Sequence, residues 1–184
     1  MGILLRELRI HGRGGQGSVT AAELIATAAF KSGVYSQAFP AFGVERRGAP
    51  VQAFVRFSDE KIRLRSQIYE PDYIIVQDSS LIADVNVFSG LKEGSIVLVN
   101  TDKDSVEGVP EGVKLIAIDA TSLALEILGL PITNTTLMGA FAAATGEISL
   151  EALEEALSER FSGSLAEKNI AAAHRAYELI QEGQ

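Results

Sequence analysis

Four glycines fall within six residues at Gly12-Arg13-Gly14-Gly15-Gln16-Gly17, between a short apolar segment and an alanine-rich one. Glycine reaches positive φ without a Cβ clash, so a chain with this run can turn sharply from a strand into a helix. Such a turn leaves amide N–H groups facing outward at the positive end of a helix dipole. A loop of that kind docks an anion or a partner's backbone.

Four readings of the loop stay open at this level. A dinucleotide site needs Gly-x-Gly-x-x-Gly, which Gly12, Gly14 and Gly17 supply, and an acid about 20 residues on. Residues 36–39, where that acid belongs, contain none. A P-loop needs Gly-Lys-Ser/Thr, and Gly17 runs straight into Ser18 with no lysine. A tight turn with no ligand explains the glycines equally well. So does a loop that docks a phosphate or a partner backbone without reading a ribose.

Composition narrows the chemistry. The 184 residues, 47% hydrophobic and 22% charged, are expected to form one soluble globular domain over 1–184. No apolar run approaches the ~18–20 residues of a membrane span, so no membrane partner is expected. The early charges at Arg6 and Glu7 fit no secretory signal, and a cytoplasmic location is expected. There is no cysteine, and His11 and His174 are the sole histidines. Thiol, disulfide, iron–sulfur and His/Cys metal chemistry are therefore not expected of this chain. A redox centre would have to sit on another molecule or on a bound cofactor.

Charge is unevenly placed. Residues 1–65 carry 10 Lys+Arg against 5 Asp+Glu, and 66–184 carry 6 against 19. Either one domain has two differently charged surfaces, or a positive N-terminal face meets an anionic partner. The acidic total, with a pI near 4.8, argues against nucleic acid.

Periodicity supplies the fold class. Residues 5–11 read as a strand and 17–30 as a helix. Residues 51–57 and 62–65 alternate as two strands of an antiparallel pair, with 58–61 as their turn. Residues 72–77, 95–99 and 114–118 are continuous apolar runs suited to strands buried on both faces. They end at Asp78, Asn100 and Asp119, and helix-like sequence is expected after each of the first two. Helices are predicted over 121–128, over 134–145 with Gly146 closing it, and from a Ser149 cap onward with Leu150, Leu153, Leu157 and Phe161 as one stripe. Ser164 and Glu167 read as a capping box for a last helix. The expected fold is a three-layer Rossmann-like α/β domain with a mostly parallel, mixed sheet and a helical C-terminal third.

Phe39-Pro40-Ala41-Phe42-Gly43-Val44-Glu45-Arg46-Arg47-Gly48-Ala49-Pro50 cannot be a regular helix or a central strand. Its aromatics and its Arg46–Arg47 pair, which suits a carboxylate or phosphate, favour an interface or ligand loop over an idle one. Arg63 and Arg65 are expected on a solvated sheet face, Asp78 and Asp119 as helix caps, His11 at a strand end and His174 on the last helix. No acid pair, nucleophile–base set or metal cluster emerges from the residues alone.

The glycine run, the block over 38–51, and the segments 62–72, 134–141 and 165–169 together resemble the γ subunit of pyruvate and other 2-oxoacid:ferredoxin oxidoreductases. The resemblance spans nearly the whole chain and rests most on Phe42-Gly43-Val44-Glu45-Arg46-Arg47-Gly48-Ala49-Pro50 in register with the glycine loop. It implies a subunit of an enzyme that oxidatively decarboxylates a 2-oxoacid, most simply pyruvate, to an acyl-coenzyme A with electrons passing to ferredoxin. The alternatives are a 2-oxoglutarate or branched-chain 2-oxoacid version and, of another class, a stand-alone nucleotide- or anion-binding module. Thiamine diphosphate, Mg and iron–sulfur clusters would lie in α-, β- and δ-type partner subunits, with coenzyme A as co-substrate. This chain would hold none of them alone and would not be active alone. The implied cofactor-binding or subunit-docking residues are Gly12, Arg13, Gly14, Gly15, Gln16, Gly17, Phe42, Gly43, Glu45, Arg46, Arg47, Gly48 and Asn134.

Overall fold

The computed structural model describes residues 4–41 and 46–183. Strand β1 (Leu5–Arg13) leads through the glycine loop into helix α1 (Ser18–Lys31). Two strands follow, β2 (Tyr35–Pro40) and β3 (Pro50–Ser58), then β4 (Tyr73–Val76), the single turn α2 (Leu81–Asp84), β5 (Ile96–Asn100) and β6 (Lys114–Ile118). The C-terminal third holds α3 (Ala120–Leu128), α4 (Asn134–Thr145), α5 (Leu150–Arg160) and α6 (Gly163–Glu182).

The sheet order is β2-β3-β1-β4-β5-β6. Strands β1, β4, β5 and β6 are parallel, and β3 runs antiparallel to both β1 and β2. This is a mixed α/β, Rossmann-like three-layer domain with a largely parallel sheet and a helical C-terminal region. One face is packed by α1, α4, α5 and α6, whose buried Ala22, Ile25, Met138, Phe141 and Leu157 join Leu8, Ile10, Val55 and Phe57 of the sheet in one core. Alternation of side chains then sends Glu7, Arg9, His11, Phe54 and Arg56 to the other face. That second covering is thin, made by α2 and by irregular chain. A smaller core of Ile74, Val76, Val97 and Val99 packs there on Leu81, Val87 and Phe88.

Alanine and glycine let the helices approach closely. A side chain at Gly139 of α4 would strike the Ala173 backbone of α6. Ser149 caps α5 by accepting from the Ala152 amide at 3.1 Å, as its position predicts. Asp119 caps α3, accepting from Ser122 N at 2.9 Å.

Four expectations are corrected. Residues 62–65 form no strand, and β3 pairs instead with β1 and with β2, an edge strand not anticipated. The reason lies in the sheet order, which places β3 between β2 and β1 and leaves it no free edge for 62–65. Just beyond, Arg56, 1% exposed, donates through Nη2 to Ser66 O at 2.7 Å, and Arg9 reaches Ile68 O. Arg63 and Arg65 consequently stand exposed on irregular chain, not on a sheet face. The segment after β5 is turns and bends without a helix. Finally, α6 begins at Gly163 after Ser162, so Ser164 lies inside the first turn and caps nothing.

Candidate functional site at the glycine loop

The two motifs that are 30 residues apart in sequence meet in space. Gly14 N donates to Ala49 O at 2.9 Å, and Gly48 N donates to Gly14 O at 3.0 Å. Gly14 and Arg47 form a parallel bridge. This closeness requires a glycine, since a side chain at Gly14 would run into the Arg46 carbonyl. Arg46 and Arg47 are exposed, and the Arg47 Cγ lies 4.0 Å from where a Gly15 side chain would begin. Phe42, Gly43 and Glu45 lie outside the described residues.

The remaining loop residues shape the start of α1. Gly15 and Gly17 hold φ of 95° and 75°, values that β-carbon-bearing residues rarely adopt. Gly17 occupies the N-cap position with no side-chain cap, and the first turn of α1 carries no acid. Free N–H groups at such an end suit an anion. A hollow of about 320 Å³ opens there, lined by Arg13, Gly15, Gly17, Ser18, Val19, Thr20 and Val51. Asn134, buried at the first position of α4, brings its Nδ2 to 2.6 Å from the place a Gly17 side chain would take. Gly12 is likewise walled in, by Ser18 Oγ and Gln77 Oε1, which are hydrogen-bonded to each other.

Arg13 serves as a brace. Its guanidinium donates to Asp84 Oδ2 at 2.6 Å, to Ser80 Oγ at 2.7 Å and to Gly48 O at 3.2 Å, and lies 3.3 Å from Asp78 Oδ2. One side chain therefore ties the end of β1 to the Arg46–Ala49 stretch and to α2. Gln16 closes the arrangement. Its Oε1 accepts from Arg13 N at 2.7 Å and its Nε2 donates to Asp78 Oδ2 at 3.1 Å. Burial works against the charged form of Asp78, yet hydrogen bonds from Ser80 and Gln16 and the nearby Arg13 hold its carboxyl below the ordinary value. Asp78 accepts from Ser80 N and Oγ in the turn before α2, whose N-cap is Ser80 without a side-chain cap, so the expected helix-capping role of Asp78 is corrected to a turn contact.

A larger cleft of about 620 Å³ lies at the carboxyl ends of β4, β5 and β6, bounded by Gly15 and Gln16, and by Pro131–Thr133. Open α/β sheets bind ligands at such ends. Gln77, Asp78, Asn100, Asp119 and Thr121 line it, with no lysine or arginine. Among the described residues, the cations nearest the glycine loop are Arg13, which lines the smaller hollow, and exposed Arg46 and Arg47. Gln77, Ser18, Ser80 and Asp84 belong to this arrangement although the sequence assigns them no role. Only Gln77 left a signal, as a polar residue closing an apolar run.

His11 is buried within β1, its Nε2 accepting from Arg9 Nε at 2.9 Å. Burial first, and Arg9 second, push its pKa down to about 3, so it is a neutral acceptor. Among the described residues no group of three or more His, Cys, Asp or Glu could hold a metal, and no helix is long and apolar enough to cross a membrane.

Fold and site define an α/β domain whose glycine loop and arginine-bearing loop form one continuous hydrogen-bonded edge. The profile of the family described as "Pyruvate ferredoxin/flavodoxin oxidoreductase" matches residues 7–179. The "Pyruvate/ketoisovalerate oxidoreductases common subunit gamma" of Thermococcus kodakarensis is 59% identical over 176 residues, covering 93% of this chain and 95% of that protein. "Pyruvate synthase subunit PorC" of Methanocaldococcus jannaschii is 56% identical over 171 residues, covering 93% and 94%. The crystal structure of pyruvate oxidoreductase subunit PORC from Thermotoga maritima superposes with a TM-score of 0.85 at 37% identity, over 95% of this chain and 96% of that one. The chain belongs to the γ-subunit family of pyruvate/2-oxoacid:ferredoxin oxidoreductases, and its function is that of a γ subunit within such a multisubunit complex.

Proposed function

We propose that this subunit helps assemble and close the site at which coenzyme A meets the 2-oxoacid-derived acyl group. The observation that carries the reading is the hydrogen-bonded pairing of Gly14 with Gly48 and Ala49, which sets exposed Arg46 and Arg47 beside an uncapped helix N-terminus. Amides at the start of α1 and two guanidinium groups together suit the phosphates of coenzyme A or a carboxylate of a partner subunit. Charge neutralisation and exclusion of water at that edge then favour acyl transfer over loss of the reactive intermediate. Thiamine diphosphate with Mg, and iron–sulfur clusters, in α-, β- and δ-type subunits supply the carbanion chemistry and the one-electron steps to ferredoxin. The chain's lack of cysteine is consistent with that division of labour. The proposed place of work is the cytoplasm.

Pyruvate is the proposed 2-oxoacid. The name of the Thermococcus relative pairs pyruvate with ketoisovalerate, which supports service to a branched-chain 2-oxoacid enzyme as the second reading.

The test is Arg47→Ala in the assembled complex. Loss of a charge-assisted contact should raise the coenzyme A KM on the order of tenfold, or else weaken assembly to a similar degree. Unchanged assembly with unchanged kinetics would sink the assignment.

A further inference from the structure

Strand order reverses at β1. From there the chain goes out to β2 and β3 on one side, and β4 returns on the other side of β1, parallel to it. The carboxyl ends of two such strands flank the crevice where open α/β sheets take ligands. Gln77 stands in that gap, directly after β4, 2% exposed and beneath the glycine loop.

Its backbone is fixed from both sides. Gln77 N donates to His11 O at 2.8 Å, and Asn100 Nδ2 donates to Gln77 O at 2.9 Å. Its side chain ties the loop at two points, Oε1 accepting from Ser18 Oγ and Nε2 reaching Gln16 O at 3.5 Å. These are the two neighbours of Gly17, the residue at the N-cap position of α1. The space for the amide exists because residue 12 is glycine, where any side chain would strike both Gln77 Oε1 and Ser18 Oγ. Asn100 Nδ2 also donates to Thr121 Oγ1 at 3.0 Å, so one polar layer joins the start of α3 to the start of α1 across the strand ends.

A leucine would fill this place more stably. Burying a carboxamide costs free energy unless its hydrogen-bonding positions are met, and among the described residues Nε2 has that one long contact. The amide instead occupies the Ser18 hydroxyl and pins the chain on either side of Gly17, while the first turn of α1 stays uncapped. We propose that Gln77 is a positioning residue, holding the glycine loop in the conformation that offers the α1 amides to an anionic group of the co-substrate. The inference rests on the proposed role of this edge in coenzyme A binding.

The experiment uses the assembled complex with Gln77→Leu, Gln77→Glu or Ser18→Ala in this chain, beside Arg47→Ala. Coenzyme A KM and kcat are measured from about pH 6 to about pH 8.5, and Tm and native mass spectrometry report folding and assembly. Gln77→Leu should raise the coenzyme A KM on the order of tenfold, with a far smaller change in kcat at saturation. Ser18→Ala, which removes one tie of the two, should raise it less. Gln77→Glu keeps the size and, when protonated, the donor; ionised, it places a negative charge under the loop. A buried carboxyl titrates above its ordinary range, so the variant's KM relative to wild type should climb with pH on the order of tenfold. The native groups around it hold their charge over that range, His11 neutral, Asp78 ionised and Arg13 cationic. A glutamine with a structural role alone would lower Tm without either KM effect. If Gln77→Leu fails to assemble, the pH dependence of Gln77→Glu decides. Folded, assembled Gln77 variants with the wild-type coenzyme A KM at every pH, while Arg47→Ala raises it, would overturn the inference and leave the role of the edge standing. Wild-type assembly and kinetics in all four variants would overturn both.

Discussion

At the scale of the residue, His11 makes a prediction that needs no partner. Its folded pKa is near 3, and an unfolded chain returns it to about 6.5. Between those values the unfolded state binds the proton and the folded state does not, so stability falls as pH falls. The slope from this one group is about 1.4 kcal/mol per pH unit below about pH 6.5. His11→Gln can keep an acceptor for Arg9 without the titration. Urea unfolding between pH 7 and pH 4 should show a shallower acid loss in the variant by that amount. Equal slopes would mean that His11 does not titrate as its burial implies. Gly14→Ala makes a second prediction. The added methyl meets the Arg46 carbonyl, so the Arg46–Ala49 stretch must lift. In the complex this should mimic Arg47→Ala in coenzyme A KM while leaving every guanidinium present. Wild-type kinetics would show that the pairing of the two loops does not matter.

At the scale of the element, much of the fold could be read from the chain because local rules and tertiary packing agree there. The predicted 114–118 strand, the 134–145 helix with Gly146 after it, and Ser149 as cap all stand where periodicity and capping chemistry put them. The failures have separate physical causes. Residues 62–65 alternate like a strand, but both edges of β3 are already taken by β1 and β2, a long-range effect invisible to local pattern. β2, half-buried at the sheet edge, lacks the apolar run that exposed the central strands. At the site, the resemblance singles out both motifs, but their meeting through Gly14, Gly48 and Ala49 is a long-range pairing that no local pattern announces. Arg13's role as a brace depends on Ser80 and Asp84, some 70 residues on, and nothing local announces it. The helix layer offers its own test. Gly139→Val should clash with the α6 backbone and lower stability by about 1–3 kcal/mol, visible as a drop in Tm. An unchanged Tm would mean that α4 and α6 can separate at no cost.

At the scale of the whole molecule, the charge asymmetry takes on a spatial meaning. The N-terminal excess of Lys and Arg includes exposed Arg46 and Arg47 at the glycine-loop edge, while α5 and α6 expose many of the acids. The lack of cysteine in a γ subunit accords with the proposal that the redox centres sit on partner subunits. Anaerobic purification of this chain from its native host, with a visible spectrum and a coenzyme A-dependent pyruvate oxidation assay on the product, tests that most directly. The account predicts larger co-eluting subunits, iron–sulfur absorbance and turnover with a ferredoxin acceptor. A colourless chain eluting alone, under conditions that preserve oligomers, would contradict it.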